Sequence, residues 1–189
     1  MDSALIVSCT DKSTAFFTEL LNAASVKHIA ALESAGETRR LFMTRDIDLV
    51  IVNAPLRDES GESLARFIAS KEASQAILVV ESEYFDTVSA VCEGEGILTI
   101  SKPVNRDVFW SALMLAKSAW NRTRRIQTEN TKLKQKIEEI RVVDRAKCII
   151  ISLFHMSEQD AHRFIEKRAM DMRSTRKAIA EGIIKTYDR

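Results

Sequence analysis

The chain has 189 residues, 46% of them hydrophobic, and its 28 basic and 27 acidic side chains leave a formal charge of +1. No run approaches the roughly 18 consecutive apolar residues of a membrane span, and Met1-Asp2-Ser3 lacks the basic and apolar regions of a secretory signal, so a cytoplasmic protein with a packed core is expected. The three widely spaced cysteines, Cys9, Cys92 and Cys148, form no Cys-x-x-Cys pair and are expected to be reduced and mostly buried, neither a disulfide framework nor a metal site.

In chain order, five short apolar runs come first: Ala4–Val7, His28–Leu32, Ile47–Val52, Ala76–Val80 and Ile97–Ile100. Several are β-branched and bounded by polar residues, as buried parallel strands are. Helical patterns lie between them, such as Phe16, Phe17, Leu20 and Leu21, then Leu64, Phe67 and Ile68. Strands alternating with helices predict a doubly wound, flavodoxin-like five-stranded parallel sheet. Both prolines (Pro55, Pro103) and four of the five glycines precede Val104, and from Val104 to Glu181 there is neither residue, so this stretch is predicted to be almost wholly helical.

A fifth helix from Val104 to about Trp120 is expected to run on as a linker. Ile126, Leu133 and Ile140 fall seven apart, with Asn130 and Ile137 at the intervening a positions. An a-position Asn fixes register in two-stranded coiled coils, so a homodimer is expected, the alternative being a solitary amphipathic helix. A break is expected at Phe154-His155-Met156, followed by Ser157 as an N-cap with Asp160 three residues on. The second tail helix then turns Ala161, Phe164, Ile165 and Ala169 inward, and Ser174 is expected to cap a third with Ile179, Gly182 and Ile183 inward. The predicted organisation is an α/β domain over 1–120, a coiled-coil linker over 121–145, and a three-helix domain over 131–189 whose first helix continues the linker.

Charge divides the chain at the same place. Residues 1–119 carry 11 basic and 17 acidic side chains, a net −6, whereas residues 120–189 carry 17 and 10, a net +7. Such asymmetry suggests two jobs, one of them drawn to a polyanion; a solvated basic helical surface is the alternative.

Asp48-Leu49-Val50-Ile51-Val52-Asn53, Gly61 eight residues later, and Ser101-Lys102-Pro103 after the fifth strand resemble the receiver domain of two-component response regulators across roughly residues 3–120. In that family a carboxylate ending the third strand accepts a phosphoryl group. An acidic pair holds Mg²⁺, a hydroxyl after the fourth strand reads the phosphate, and a Lys before a Pro neutralises it. Here the matching positions are Asn53, then Ser8 and Cys9, then Glu81, with only Lys102 retained; Asp11 sits two residues late. An amide is a poor nucleophile, Mg²⁺ favours carboxylate oxygen, and Glu81 repels phosphate. The resemblance therefore implies a pseudoreceiver with a degenerate pocket, in which Lys102 bonds Asn53 or pairs with Glu81. No catalytic residue, metal or cofactor is expected, and His28, His155 and His162 lack metal-site spacing and are expected at turns and on the surface. A sensor protein is a possible partner of this domain.

The tail resembles the ANTAR family of RNA-binding antiterminators. The resemblance is carried by Val143-Asp144-Arg145-Ala146-Lys147, Met156-Ser157-Glu158-Gln159-Asp160-Ala161, Arg168-Ala169-Met170-Asp171 and Arg173-Ser174-Thr175-Arg176-Lys177-Ala178-Ile179-Ala180. It departs from the family at Cys148, where Gly is usual. It implies binding to paired hairpins in leader RNA, with Ala146, Lys147, Arg173, Thr175, Arg176 and Lys177 as candidate contacts. Independently of it, Arg173, Arg176 and Lys177 surround a helix start, where the macrodipole disfavours cations unless an external anion offsets them. Aromatic side chains are few in the tail (Phe154, Phe164, Tyr187), so readout is expected to rest on Arg and backbone. A DNA-binding regulator and a protein-interaction adaptor are the competing readings.

Overall fold

The computed structural model describes residues 1–71 and 74–187, and the last two positions of the expected 131–189 domain lie outside the described residues. Two compact units divide at residue 126, Met1–Ile126 and Gln127–Arg189.

In the first unit β1 (Ser3–Ser8), β2 (His28–Leu32), β3 (Leu49–Asn53), β4 (Gln75–Val80) and β5 (Leu98–Ser101) form one parallel sheet in the order β2-β1-β3-β4-β5. The central strands alternate their apolar side chains between two layers. Leu5, Val7, Val50, Val52 and Leu78 face α2 (Ala35–Leu41), α3 (Glu62–Ala69) and α4 (Phe85–Glu93). Ala4, Ile6, Leu49, Ile51 and Val79 face α1 (Asp11–Ala23) and the start of α5 (Arg106–Phe154). Phe17 of α1 and Phe109 of α5 meet there with ring centroids 5.0 Å apart, each contributing about 1.5–3 kcal/mol of burial. The expected burial fails on β2, an edge strand whose residues are exposed or half-buried.

Register positions the polar residues. Ser8 stands opposite Asn53, Asn53 opposite Val79, and Val80 opposite Ser101, so the carboxyl ends of four strands deliver Ser8, Asn53, Glu81 and Lys102 to one edge. Ligands of open parallel sheets bind at that edge. Gly61, which caps α3, has φ +93°, and a Cβ there would meet Val52 Cγ1 at 3.0 Å. Only glycine suits that approach.

The second unit comprises the rest of α5 with α6 (Glu158–Asp171) and α7 (Arg176–Tyr187). Its core is Val143, Ala146 and Ile150 of α5, Ala161, Ile165 and Ala169 of α6, and Ile179, Ala180 and Ile183 of α7. Four alanines let the helices approach closely around the larger side chains. His155 (φ +50°) ends α5 at the expected break, and Ser157 Oγ accepts from the Asp160 amide at 3.2 Å as expected. Two expectations fail. Thr175, not Ser174, caps α7, its Oγ1 accepting from the Ala178 amide at 3.2 Å, while the Ser174 amide closes α6 on the Ala169 carbonyl. Gly182 is exposed and Ala180 is inward, because 179, 180 and 183 form one helical stripe. Ile126, Leu133, Ile137 and Ile140 are between 45% and 58% exposed, and Asn130 is exposed among them.

Candidate functional site

The strand-end edge is a hydrogen-bonded cluster of polar side chains. Asn53 is buried and donates through Nδ2 to Ser8 Oγ at 3.0 Å. Lys102 does not reach Asn53; its Nζ donates to the Ala54 carbonyl at 2.6 Å and to Glu81 Oε1 at 2.9 Å. Of the two partners expected for this lysine, Glu81 is therefore the one observed. Cys9 is exposed, and its thiol lies toward the carbonyls of Glu33 and Pro55, 3.6 and 3.8 Å away, so it shares no bond with Ser8 or Asn53. A cavity of about 540 Å³ opens here between Lys12, Ser13, Phe16, Asn53, Glu81 and Lys102. Its acids reduce to Glu81, already spent on Lys102, and among the described residues no cluster of three or more His, Cys, Asp or Glu side chains is arranged for a metal.

The loop below this cluster is held by groups that sequence reasoning passed over. The Asp58 carboxylate accepts from the Ala35 and Gly36 amides at 2.8 and 2.9 Å, and these bonds hold its carboxyl below the usual range. Arg39 joins α2 to Glu59 at 2.9 Å. Neither partnership has local spacing, so no sequence pattern marks it.

In the second unit the basic candidates separate. Ala146 is wholly buried in the three-helix core, on the stripe of Val143 and Ile150, and is a packing residue with no surface for RNA. Lys147 has only 14% of its side chain exposed, with Nζ 2.7 Å from Asp144 Oδ1 and 3.2 Å from Glu158 Oε1. The hydrogen bond that Lys147 Nζ donates to the Asp144 carboxylate is the main cause that raises its pKa, and the residue ties α5 to α6 through Glu158. Thr175 spends its hydroxyl on the cap. Arg173 (φ +48°), Arg176 and Lys177 gather at the exposed start of α7, where the first turn holds no acid. Arg176 has long contacts with Glu166 Oε1 (3.4 Å) and Glu139 Oε1 (4.0 Å), and Lys177 with Glu181 Oε1 (3.8 Å). His28 lies in a strand rather than a turn, His155 in the α5–α6 turn, and His162 beside Glu166 at 3.2 Å.

The expectation of mostly buried thiols is corrected: Cys9 and Cys148 are exposed, and Cys92 alone is buried, where desolvation pushes its thiol pKa up. Iodoacetamide is accordingly expected to add two carboxamidomethyl groups to the native protein, and a third only in denaturant, by intact mass. Rapid modification of all three native thiols would contradict this burial.

Residues 131–184 match the ANTAR domain family. The chain is 28% identical over 139 residues to the transcriptional regulatory protein PdtaR of Mycobacterium tuberculosis, in strains CDC 1551 / Oshkosh and ATCC 25618 / H37Rv alike, covering 74% of this chain and 68% of that relative. The fold is similar to the signal receiver domain of an HD domain-containing protein from Pseudomonas fluorescens Pf-5, with TM-score 0.57, 22% identity, and coverage of 66% of this chain and 94% of that one. A response regulator receiver domain protein from Clostridium thermocellum gives TM-score 0.56 at 20% identity, covering 67% and 99%. An ANTAR domain thus follows a receiver-like α/β unit, and among the described residues no helix is long and apolar enough to cross a membrane.

Proposed function

We propose that this chain, a receiver-like unit followed by an ANTAR domain, is a cytoplasmic transcription antitermination regulator. It binds hairpin loops in leader RNA through its C-terminal helices and takes its signal from a protein partner rather than from phosphoryl transfer. One observation carries the RNA side: Arg173, Arg176 and Lys177 converge on the start of α7, with no acid in its first turn. A helix start carries about half a positive charge, so each cation there costs about 0.3–1 kcal/mol in the free protein. A phosphate backbone offsets that cost and meets the free N–H groups of the first turn. The half-exposed stripe of Ile126, Leu133, Ile137 and Ile140 around Asn130 supports a two-stranded coil between two copies. Two linked sites on paired hairpins raise the effective concentration of the second contact.

The deciding experiment is filter binding to a two-hairpin leader RNA and to duplex DNA across a salt series. Preference for the hairpins, lost when their loops are changed, is expected. Duplex preference would favour a DNA-binding regulator, and equal weak binding to every polyanion would overturn the reading.

The signalling side is supported by the Asn53–Ser8 bond and the Lys102–Glu81 pair, formed by residues at the positions that match the receiver family's phospho-acceptor pocket. Acetyl phosphate with Mg²⁺ is therefore expected to leave the intact mass unchanged. A stable phosphoryl adduct on residues 1–126 would refute it.

A further inference from the structure

The cavity of about 540 Å³ at the carboxyl ends of the strands falls within the roughly 300–1,000 Å³ of sites for small organic molecules. Alternation along β3 puts Asn53 on the same side of the sheet as Ile51, toward α1 and α5. The walls on that side are apolar: Phe16 and Phe17 of α1, then Pro103 and Val104 in the segment that leads into α5. The cavity therefore joins a polar floor to an apolar flank, all within the first unit.

The fold leaves several polar groups at this cavity unspent. Asn53 is only 7% exposed, yet its amide makes a single hydrogen bond, from Nδ2 to Ser8 Oγ, and among the described residues nothing donates to its Oδ1. Buried amides ordinarily fill both ends. Lys12 is exposed at the mouth and, among the described residues, has no ion-pair partner. Thr10, the N-cap of α1, gives the first turn no side-chain acceptor; its Oγ1 donates instead to Ser13 Oγ at 2.8 Å, which leaves the Ser13 hydroxyl proton for another acceptor. Free N–H groups at a helix start favour an anion. Asp11, the acid of that turn, does not line the cavity.

We propose that this cavity binds a small organic acid, one carboxylate on an apolar body of about ring size. The carboxylate meets Lys12, the Ser13 hydroxyl and the free N–H groups of α1, while the body lies on Phe16, Pro103 and Val104. Asn53 Oδ1 gives a second anchor to a body that carries an N–H or O–H donor. Charge selects the class. The lining holds two cations, Lys12 and Lys102, and one acid, Glu81, an excess of one positive charge. That excess matches a single carboxylate. A phosphoryl group carries about −1.5 to −2 and would face Glu81, which Lys102 holds in place at 2.9 Å. The site adds a small-molecule input to the partner control proposed above and is independent of RNA binding.

The test titrates the full chain with benzoate, 4-hydroxybenzoate and indole-3-acetate by calorimetry. Benzamide serves as the neutral isostere of benzoate, and inorganic phosphate as the bare anion. At least one of the three acids is expected to bind a single site with a millimolar or tighter Kd, with benzamide and phosphate each about tenfold or more weaker. Lys12→Gln is expected to weaken the acid by about three- to tenfold, the loss of one charge-assisted contact, and to leave benzamide unchanged. Lys117→Gln removes the same charge from an exposed position of α5 outside the cavity and is expected to change nothing. Asn53→Asp cancels the excess charge and is expected to abolish binding of the acid. The proposal is overturned if none of the three acids binds, if phosphate binds as tightly as they do, or if the two lysine variants behave alike. Should Asn53→Asp lose structure by circular dichroism, Lys12→Gln, at an exposed position, still decides. None of these outcomes touches the RNA-binding reading, which the filter assay tests by itself.

Discussion

Replacing Arg176 and Lys177 together by alanine is expected to weaken hairpin RNA binding by roughly 30- to 100-fold at moderate salt. Each side chain loses one charge-assisted phosphate contact of about 1–1.5 kcal/mol, and tenfold corresponds to about 1.4 kcal/mol. The slope of log K against log salt is expected to fall by about two, because two fewer counterions are released. Stability is expected to move little. Their ion pairs in the free protein are long, 3.4–4.0 Å, on half-exposed side chains, and removing two cations from a helix start relieves a dipole penalty of similar size. The control is Lys132→Ala with Lys134→Ala, which removes equal charge from exposed positions of α5 rather than from the first turn of α7. If the two pairs of substitutions weaken binding equally, the contact is diffuse and the α7 start is not the site. An unchanged slope in the Arg176/Lys177 variant has the same consequence.

The fold was largely legible because each of its levels leaves a periodic mark. Strand runs such as Leu49–Val52 are apolar on both faces since β3 is covered on both sides, and the absence of Gly and Pro after Val104 is what permits α5 to run unbroken to Phe154. The β2 edge was misjudged because an apolar composition does not say which strand is last in the sheet. Ser174 and Thr175 are adjacent and both able to cap, and only the geometry of the α6 terminus, which engages the Ser174 amide, decides between them.

Site residues were less legible, for a related reason. Asn53, Glu81 and Lys102 are far apart in sequence, and the resemblance to receivers, not any local pattern, brought them together. The structure adds which bonds form: Asn53 to Ser8, and Lys102 to Glu81 and the Ala54 carbonyl. Ala146 is instructive. The family resemblance implies it as an RNA contact, yet Val143, Ala146 and Ile150 have core spacing, and the alanine is buried. Within a motif of this kind, periodicity separates packing residues from surface ones. Glu139, Glu158 and Glu166 were passed over because carboxylates opposing a polyanion have no role until their cationic partners are located.

Substituting Ile165 by alanine is expected to unfold the second unit while the first stays folded. Ile165 is the one large side chain that α6 buries completely; its neighbours on that stripe are Ala161 and Ala169, which have nothing to extend into the space left behind. A buried Ile→Ala change costs about 2–5 kcal/mol, lost burial and cavity together. A unit of this length has roughly 3–9 kcal/mol to lose, so the substitution removes most of it. The chain provides its own reporters. Both tryptophans, Trp110 and Trp120, belong to Met1–Ile126, whereas α6 and α7 lie wholly in Gln127–Arg189. Far-ultraviolet circular dichroism of the variant should therefore show lost helix at a temperature where tryptophan emission is still that of the wild type, and hairpin RNA binding should vanish with the helix. Met170→Ala, at a side chain 71% exposed on the same helix, should leave both signals within about 0.5 kcal/mol of wild type. Coincident loss of the two signals in the Ile165 variant would mean that the units do not unfold separately, and unchanged helicity would mean that the α6 core contributes far less than its burial implies.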